Sequence, residues 1–313
     1  MPSRRTFVAT AAAALARLAA GCQSPPPERR PTGILDTHTH FYDPTRPDGV
    51  PWPPANDPVL FRPVLPPEYV ALARPLGIVG TVVVEASTLD ADNRWILDLA
   101  DHAPFLRALI GHLKPGRPGF AQQLARDAVD RRFRGIRLGT WDGPLRVDEP
   151  AFLADCRSLA ERQLTADVLV GPDQLDAVAR LAALVPELSI VINHCANVRI
   201  DGRTPPTQWL QGIAAVARQP RVFMKMSGYV EGTGRTDGTA PRDTEFYRPT
   251  FDALLAQFGP ERLIFGSNWP VSARFASLAT VVGIVRDYFS VQPARVAAAY
   301  FADNARRAYR LVD

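Results

Sequence analysis

An α/β chain of the (β/α)8 TIM-barrel class is what this 313-residue sequence predicts, on three observations. Short β-rich runs ending in Gly or polar residues alternate with longer stretches of helical periodicity, the pattern of right-handed βαβ units around a parallel sheet. Eight such runs occur. From Asp36 to Gly266 the seven repeats occupy 230 residues, about 33 each, close to the ~250 residues typical of this barrel. The runner-up, a doubly wound open sheet, would more often carry a Gly-rich phosphate turn after its first strand, where this chain has histidines.

In chain order the strands are expected at 34–38, 79–85, 107–112, 133–138, 166–170, 188–193, 221–226 and 262–266. Between them Leu175, Val178, Ala182 and Val185 fall on one helical face, as do Val281, Ile284, Val285 and Tyr288. Two insertions break the rhythm, both after a strand, on the barrel face that carries active sites. Residues 41–67 hold nine prolines with Trp52 and Phe61, and residues 228–243 are rich in Gly and Thr. Each is expected to form a lid or a substrate wall.

The domain proper is expected to span 33–313. Before it, Ser3-Arg4-Arg5-Thr6-Phe7 and an Ala/Leu run ending at Gly21-Cys22 read as an export signal over 1–22. The paired arginines resemble the twin-arginine signal, and Leu18-Ala19-Ala20-Gly21-Cys22 resembles a lipoprotein cleavage site, although Ala19 and Arg17 depart from the usual pattern. A periplasmic or membrane-tethered address follows, with contact to the membrane only through lipid on Cys22. Residues 23–32, Pro-rich and polar, read as a flexible linker.

The formal charge of +4 is mostly the leader's. Without Arg4, Arg5 and Arg17 there remain 33 basic against 32 acidic side chains, so bulk charge gives no reason to expect a nucleic-acid partner. Cys156 and Cys195 define neither a disulfide framework nor a zinc cluster and are expected as buried thiols.

The chemistry-bearing residues gather at strand ends. Asp36-Thr37-His38-Thr39-His40 closes the first strand, and alternation puts both imidazoles on one face, able to bind one metal ion or one substrate anion. Glu85 ends the second strand, His112 the third, Arg137 the fourth and His194 the sixth. Lys225 lies near the end of the seventh, and the eighth runs into Ser267-Asn268-Trp269-Pro270. Polar groups at C-terminal strand ends converge in a barrel. His102, before the third strand, is expected to face solvent.

The chain resembles the amidohydrolase-related (amidohydrolase 2) family, in its lactonase-like branch of sugar-lactone, sulfomuconolactone and pyrone-dicarboxylate hydrolases. The DxHxH at 36–40, Thr81-Val82-Val83-Val84-Glu85, Gly135-Ile136-Arg137, Ile192-Asn193-His194, Lys225-Met226-Ser227-Gly228 and Gly266-Ser267-Asn268-Trp269-Pro270 carry the resemblance, over about residues 33–312. It implies that His38, His40 and His194 bind one divalent metal, zinc or manganese, or, in metal-independent members, grip the substrate carbonyl and carboxylate. Arg137 and Lys225 would hold an anionic group. By position at strand ends, Trp269 is expected in the substrate pocket and His112 either there or in a structural role.

The family's strand-eight aspartate falls on Asn268. An amide can orient water or donate to an oxyanion, but it cannot take the water's proton. Glu85 is the first candidate for the missing base, with His194 or His112 behind it. The strand-five histidine of binuclear relatives is also missing, so at most one metal is expected. The resulting expectation is hydrolysis of a small cyclic ester, a sugar-derived or carboxylated lactone. Metal-dependent amide hydrolysis or nonoxidative decarboxylation, and a non-catalytic periplasmic ligand-binding lipoprotein, stand beside it.

Overall fold

The computed structural model describes residues 33–89, 91–139 and 143–311; the expected export signal, the linker and Cys22 lie outside the described residues. Eight parallel strands stand in the order of the chain, β1 (Ile34–Thr39), β2 (Ile78–Val84), β3 (Leu106–Gly111), β4 (Phe133–Leu138), β5 (Thr165–Val168), β6 (Ser189–Ile192), β7 (Val222–Met226) and β8 (Leu263–Phe265). A parallel bridge between Thr39 and Trp269 brings the last strand's continuation back to the first, so the sheet is a nearly closed barrel. The (β/α)8 expectation holds, with every strand within two residues of its expected start.

Helices α1 (Pro66–Ala73), α2 (Asp92–His102), α3 (Phe120–Asp127), α4 (Pro150–Glu161), α5 (Leu175–Leu184), α6 (Thr207–Ala217), α7 (Thr244–Phe258) and α8 (Leu278–Ser290) alternate with the strands. The faces read from spacing are the ones that pack: Val178, Val185, Ile284 and Val285 are all buried. Proline starts α1 and α4, where a missing N–H costs no helical hydrogen bond.

Two apolar cores result. The larger lies between strands and helices, and the smaller fills the barrel with Leu35, Val82, Val84, Ala108, Ile110, Val191 and Ile264. The chain's last helical turn, Asn304–Tyr309, joins that inner core through Ala305, Ala308 and Tyr309. It is tied there by Thr165, whose hydroxyl donates to the Ala308 carbonyl at 2.8 Å.

Cys156 and Cys195 are buried free thiols, as expected, and burial pushes both up to about 12. His102 is exposed, at the end of α2 rather than in a turn. Among the described residues no helix is long and apolar enough to cross a membrane.

Candidate active site

Beneath the C-terminal mouth of the barrel, the ends of β1, β5, β7 and β8 are locked by buried polar groups. Asp36 accepts the backbone N–H groups of His38 (3.0 Å) and Ser267 (2.8 Å) on one oxygen and the Tyr69 hydroxyl (2.5 Å) on the other. The first residue of the DxHxH motif therefore staples β1 to the turn after β8. Gly266 is required beside it: a Cβ there would lie 2.9 Å from His38 Cβ and 3.2 Å from the Lys225 side chain.

Lys225 does not hold a substrate anion. It is wholly buried, its ammonium donating to Asp167 Oδ2 and the Thr37 carbonyl at 2.8 Å each and facing His38 Nδ1 at 3.3 Å. Three donors meet three acceptors, which leaves none for a ligand. Asp167 in turn accepts Asn193 Nδ2 at 3.0 Å and the Tyr309 hydroxyl at 3.0 Å. Sequence reasoning missed Asp167; the signal was a lone acid inside the apolar strand β5, which demands a buried cation.

His38, His40 and His194 do come together. The His38 ring centroid is 4.9 Å from that of His40 and 4.3 Å from that of His194. Burial first, then the nearby cations, holds all three below the usual histidine range, His40 at about 3, so all are neutral at pH 7. Their protons can be placed from their partners. His40 Nδ1–H donates to the Val84 carbonyl (2.9 Å), which leaves a lone pair on Nε2. His38 accepts the Lys225 ammonium on Nδ1, so its proton sits on Nε2, a buried atom with no hydrogen-bond partner among the described residues.

His194 stands on an unusual backbone. Residues His194, Cys195, Ala196 and Asn197 all have φ between 49° and 54°, a left-handed turn that costs L-residues roughly 1–2 kcal/mol each. The turn is held by Trp209 Nε1–H donating to the Cys195 carbonyl (2.8 Å), by Asn197 Nδ2–H donating to the Val170 carbonyl (3.0 Å), and by Ser227 Oγ, 2.9 Å from His194 Nδ1. Gly228 lets it close: with φ +61°, a Cβ on it would meet His194 Cβ at 2.7 Å.

Above this layer two cavities meet. One, of about 200 Å3, is lined by His40, Trp52, Glu85, Arg137, His194 and Asn268 among others; the second, of about 430 Å3, shares His194, Asn268 and Val271 and adds Glu231, Arg199 and Arg274. Both insertions contribute walls as expected, the first through Trp52 and the second through residues 228–234. Glu85 and Arg137 form a buried pair, Arg137 Nε to Glu85 Oε1 at 3.5 Å, and Glu85 Oε2 accepts the Ser87 N–H at 3.1 Å.

Two candidate pocket residues lie elsewhere. Trp269 is 3% exposed and packs on Tyr69 and Phe41, with ring centroids 5.2 and 6.1 Å away, because its backbone closes the barrel and turns the ring into the core. His112 lines neither cavity; its backbone N–H and carbonyl are held by the Asn93 amide. The residue that sequence reasoning missed at the mouth is Glu231. It follows Tyr229-Val230 in the second insertion, and its Oε1 accepts Asn268 Nδ2–H at 2.8 Å.

A family model described as "Amidohydrolase" matches residues 35–311, nearly the whole described domain. The chain belongs to the amidohydrolase family. It is 32% identical over 241 residues to an L-fucono-1,5-lactonase of Burkholderia ambifaria, covering 76% of this chain and 80% of that one. To a 4-sulfomuconolactone hydrolase of Rhizobium radiobacter it is 28% identical over 254 residues, 78% of each. An amidohydrolase of Burkholderia multivorans solved with bound zinc superposes with a TM-score of 0.78 at 27% identity, over 89% of this chain and 99% of that one. This amidohydrolase is therefore a hydrolase of the amidohydrolase superfamily, and its lactonase relatives support hydrolysis of a lactone.

The three histidines do not, as arranged, offer a metal its ligands. His38 presents a proton rather than a lone pair at Nε2, and its Nδ1 faces an ammonium. His40 Nε2 is 3.2 Å from Asn268 Oδ1. No group of three His, Cys, Asp or Glu among the described residues is placed to hold a metal ion. The relative of Burkholderia multivorans solved with bound zinc nonetheless points to a divalent metal among members of this superfamily.

Proposed function

We propose that this amidohydrolase is an exported lactonase that opens a small sugar-derived or carboxylated lactone by attack of water on the ring carbonyl. The observation that carries the reading is the cavity of about 200 Å3 in which Trp52, the Arg137–Glu85 pair, His40, His194 and Asn268 converge. Ligand pockets commonly run ~300–1,000 Å3, so this volume suits one polar ring rather than a polymer. The lactonase relatives support the same substrate class.

In this account Trp52 packs against the apolar face of the ring, and its ring centroid stands 6.0 Å from that of His40. Arg137, fixed by Glu85, presents a planar fork to a carboxylate or to ring hydroxyls. Ser227 Oγ–H donates to His194 Nδ1, which keeps the His194 proton on Nε2. From there it donates to the oxyanion that develops as water adds. Lys225 serves the oxyanion only indirectly, by fixing His38 against His194.

Glu85 is engaged by Arg137 and by the Ser87 N–H, which suits it to positioning the guanidinium better than to taking a proton. Amide hydrolysis and decarboxylation with a metal call for a ligand set that these residues do not assemble. The paired arginines and the apolar run to Cys22 support export, and a lipid on Cys22 would tether the enzyme to the membrane.

Initial rates on a panel of 1,5- and 1,4-sugar lactones, with and without a ring carboxylate, test the reading. Turnover of at least one class, with a raised KM for Arg137→Met, is expected. A panel wholly at the spontaneous rate would overturn it.

A further inference from the structure

We propose that Glu231 is the general base of this amidohydrolase, a carboxylate supplied by the insertion after β7 in place of the strand-eight acid that Asn268 lacks. The inference rests on the lactonase reading and adds the proton acceptor that reading needs.

The placement comes first. Glu231 opens a 3-10 turn, Glu231–Thr233, anchored by the Gly232 N–H donating to the Gly228 carbonyl at 2.9 Å. That ties it to the same Gly228 that admits His194. Oε1 accepts Asn268 Nδ2–H, while Oε2 is buried with no hydrogen-bond partner among the described residues. A buried carboxylate oxygen without a donor is expensive unless a proton or a water occupies it. Glu231 lines the wider cavity with His194 and Asn268, and these two also line the narrower one. A water held at the lining that both cavities share would be oriented by Asn268 and could pass its proton to Glu231, whose carboxylate Asn268 contacts.

The surroundings match that task. Near Glu231 stand Cys195 of the left-handed turn, its neighbour Tyr229 and Tyr247 of α7, while His194, Arg199 and Arg274 line the same cavity. Burial outweighs the Asn268 hydrogen bond and pushes the Glu231 carboxyl up to about 7, where a base is half available at neutral pH.

Asn268 links the proton to His40. With Glu231 ionised, Nδ2–H donates to the carboxylate and Oδ1 faces His40 Nε2. Once Glu231 is protonated, the amide turns over: the carboxyl O–H donates to Oδ1, and Nδ2–H donates to the lone pair on His40 Nε2. Only the second position satisfies the whole amide, because in the first Oδ1 and the His40 Nε2 lone pair meet acceptor to acceptor, which favours the protonated carboxyl.

The step balances. Glu231 takes one proton as the water oxygen bonds to the lactone carbonyl carbon, giving a tetrahedral oxyanion. The oxyanion collapses, the ring C–O bond breaks, and Glu231 returns the proton to the departing alkoxide oxygen. The product is the open hydroxy acid, and Glu231 is again a carboxylate.

The test compares wild type, Glu231→Gln, Glu231→Asp and Glu85→Gln on a turned-over lactone, with the melting temperature of each from pH 4.5 to 9. Glu231→Gln is expected to lower kcat roughly 100- to 10,000-fold with little change in KM. Glu231→Asp should keep part of the rate, and wild-type kcat should rise with pH through about 7. The melting arm needs no substrate. Relative to wild type, Glu231→Gln should gain stability as pH rises from 4.5 to 7, because it lacks the buried charge. An active Glu231→Gln, or a melting difference flat across that range, would overturn the proposal. An inactive wild type would instead overturn the lactonase reading, leaving the melting arm to judge Glu231. Loss of kcat in Glu85→Gln alone would return the role to Glu85.

Discussion

The Lys225 ammonium lies 2.8 Å from Asp167 Oδ2, both side chains wholly buried, and the same ammonium reaches the Thr37 carbonyl and His38 Nδ1. Charge in the barrel core is thereby converted into the tautomer and position of an active-site imidazole. Burial alone would push Lys225 below its usual range, and Asp167 works against that shift.

Removing one partner of such a pair leaves an uncompensated buried charge. Lys225→Met should cost about 3–5 kcal/mol of unfolding free energy, and Asp167→Asn a comparable amount. The double variant should recover much of the loss, a coupling that urea denaturation of the four proteins measures directly. Additive losses would mean that the pair acts as two independent sites.

Gly228→Ala places a Cβ 2.7 Å from His194 Cβ at a backbone φ of +61°. We expect a loss of about 1–3 kcal/mol and a fall in kcat larger than any change in KM, because the left-handed turn that carries His194 must shift. Gly238→Ala, with φ +75° but nothing within 4 Å of its Cβ, is the control and should cost stability without touching kcat.

The acid side of the stability profile is set by histidines that stay neutral in the fold. His40 has a folded value of about 3 against an ordinary 6.5, and His38 and His194 are depressed as well. The unfolded chain binds those protons first, so stability should fall as pH drops from 6.5 toward 3. Glu231 contributes the opposite slope between 4.5 and 7, and Glu231→Gln should therefore show the steeper acid loss. Melting curves across pH 4 to 8 check both signs; a wild type equally stable at pH 4 and pH 7 would contradict the neutral-imidazole account.

With His38 Nδ1 facing the Lys225 ammonium and no three-ligand group among the described residues, protein purified without chelator or metal-affinity resin is expected to hold less than about a tenth of an equivalent of zinc or manganese and to keep its activity in a chelator. Near-stoichiometric metal, lost together with activity in His38→Ala, would show that the histidines rearrange to bind it.

What the sequence made legible follows period and position. Strands buried on both faces read as apolar runs, so β6 and β8 stood out, and the residue ending each run, His194 or the Ser267-Asn268 pair, was bound to face the mouth. Direction was not legible where the chain bends. Trp269 continues β8 as an obvious aromatic, yet its backbone closes the barrel to Thr39 and turns the ring inward. Lys225 and Arg137 look alike in sequence, but only a partner on another strand, Asp167 or Glu85, decides that one is spent in the core and the other lines the cavity. Glu231 sits in a Gly-rich insertion without period, and its 2.8 Å contact with Asn268 exists only in three dimensions.

Water is expected to open a lactone in the cavity between Trp52 and His194. Incubating the enzyme with a sugar or carboxylated lactone in oxygen-18 water and weighing the product by mass spectrometry tests it. Enzyme-dependent formation of the hydroxy acid is expected, with one heavy oxygen in its carboxylate and none in the released hydroxyl. No product above the uncatalysed rate, together with a ligand-induced rise in melting temperature, would contradict it and make the barrel a binding protein.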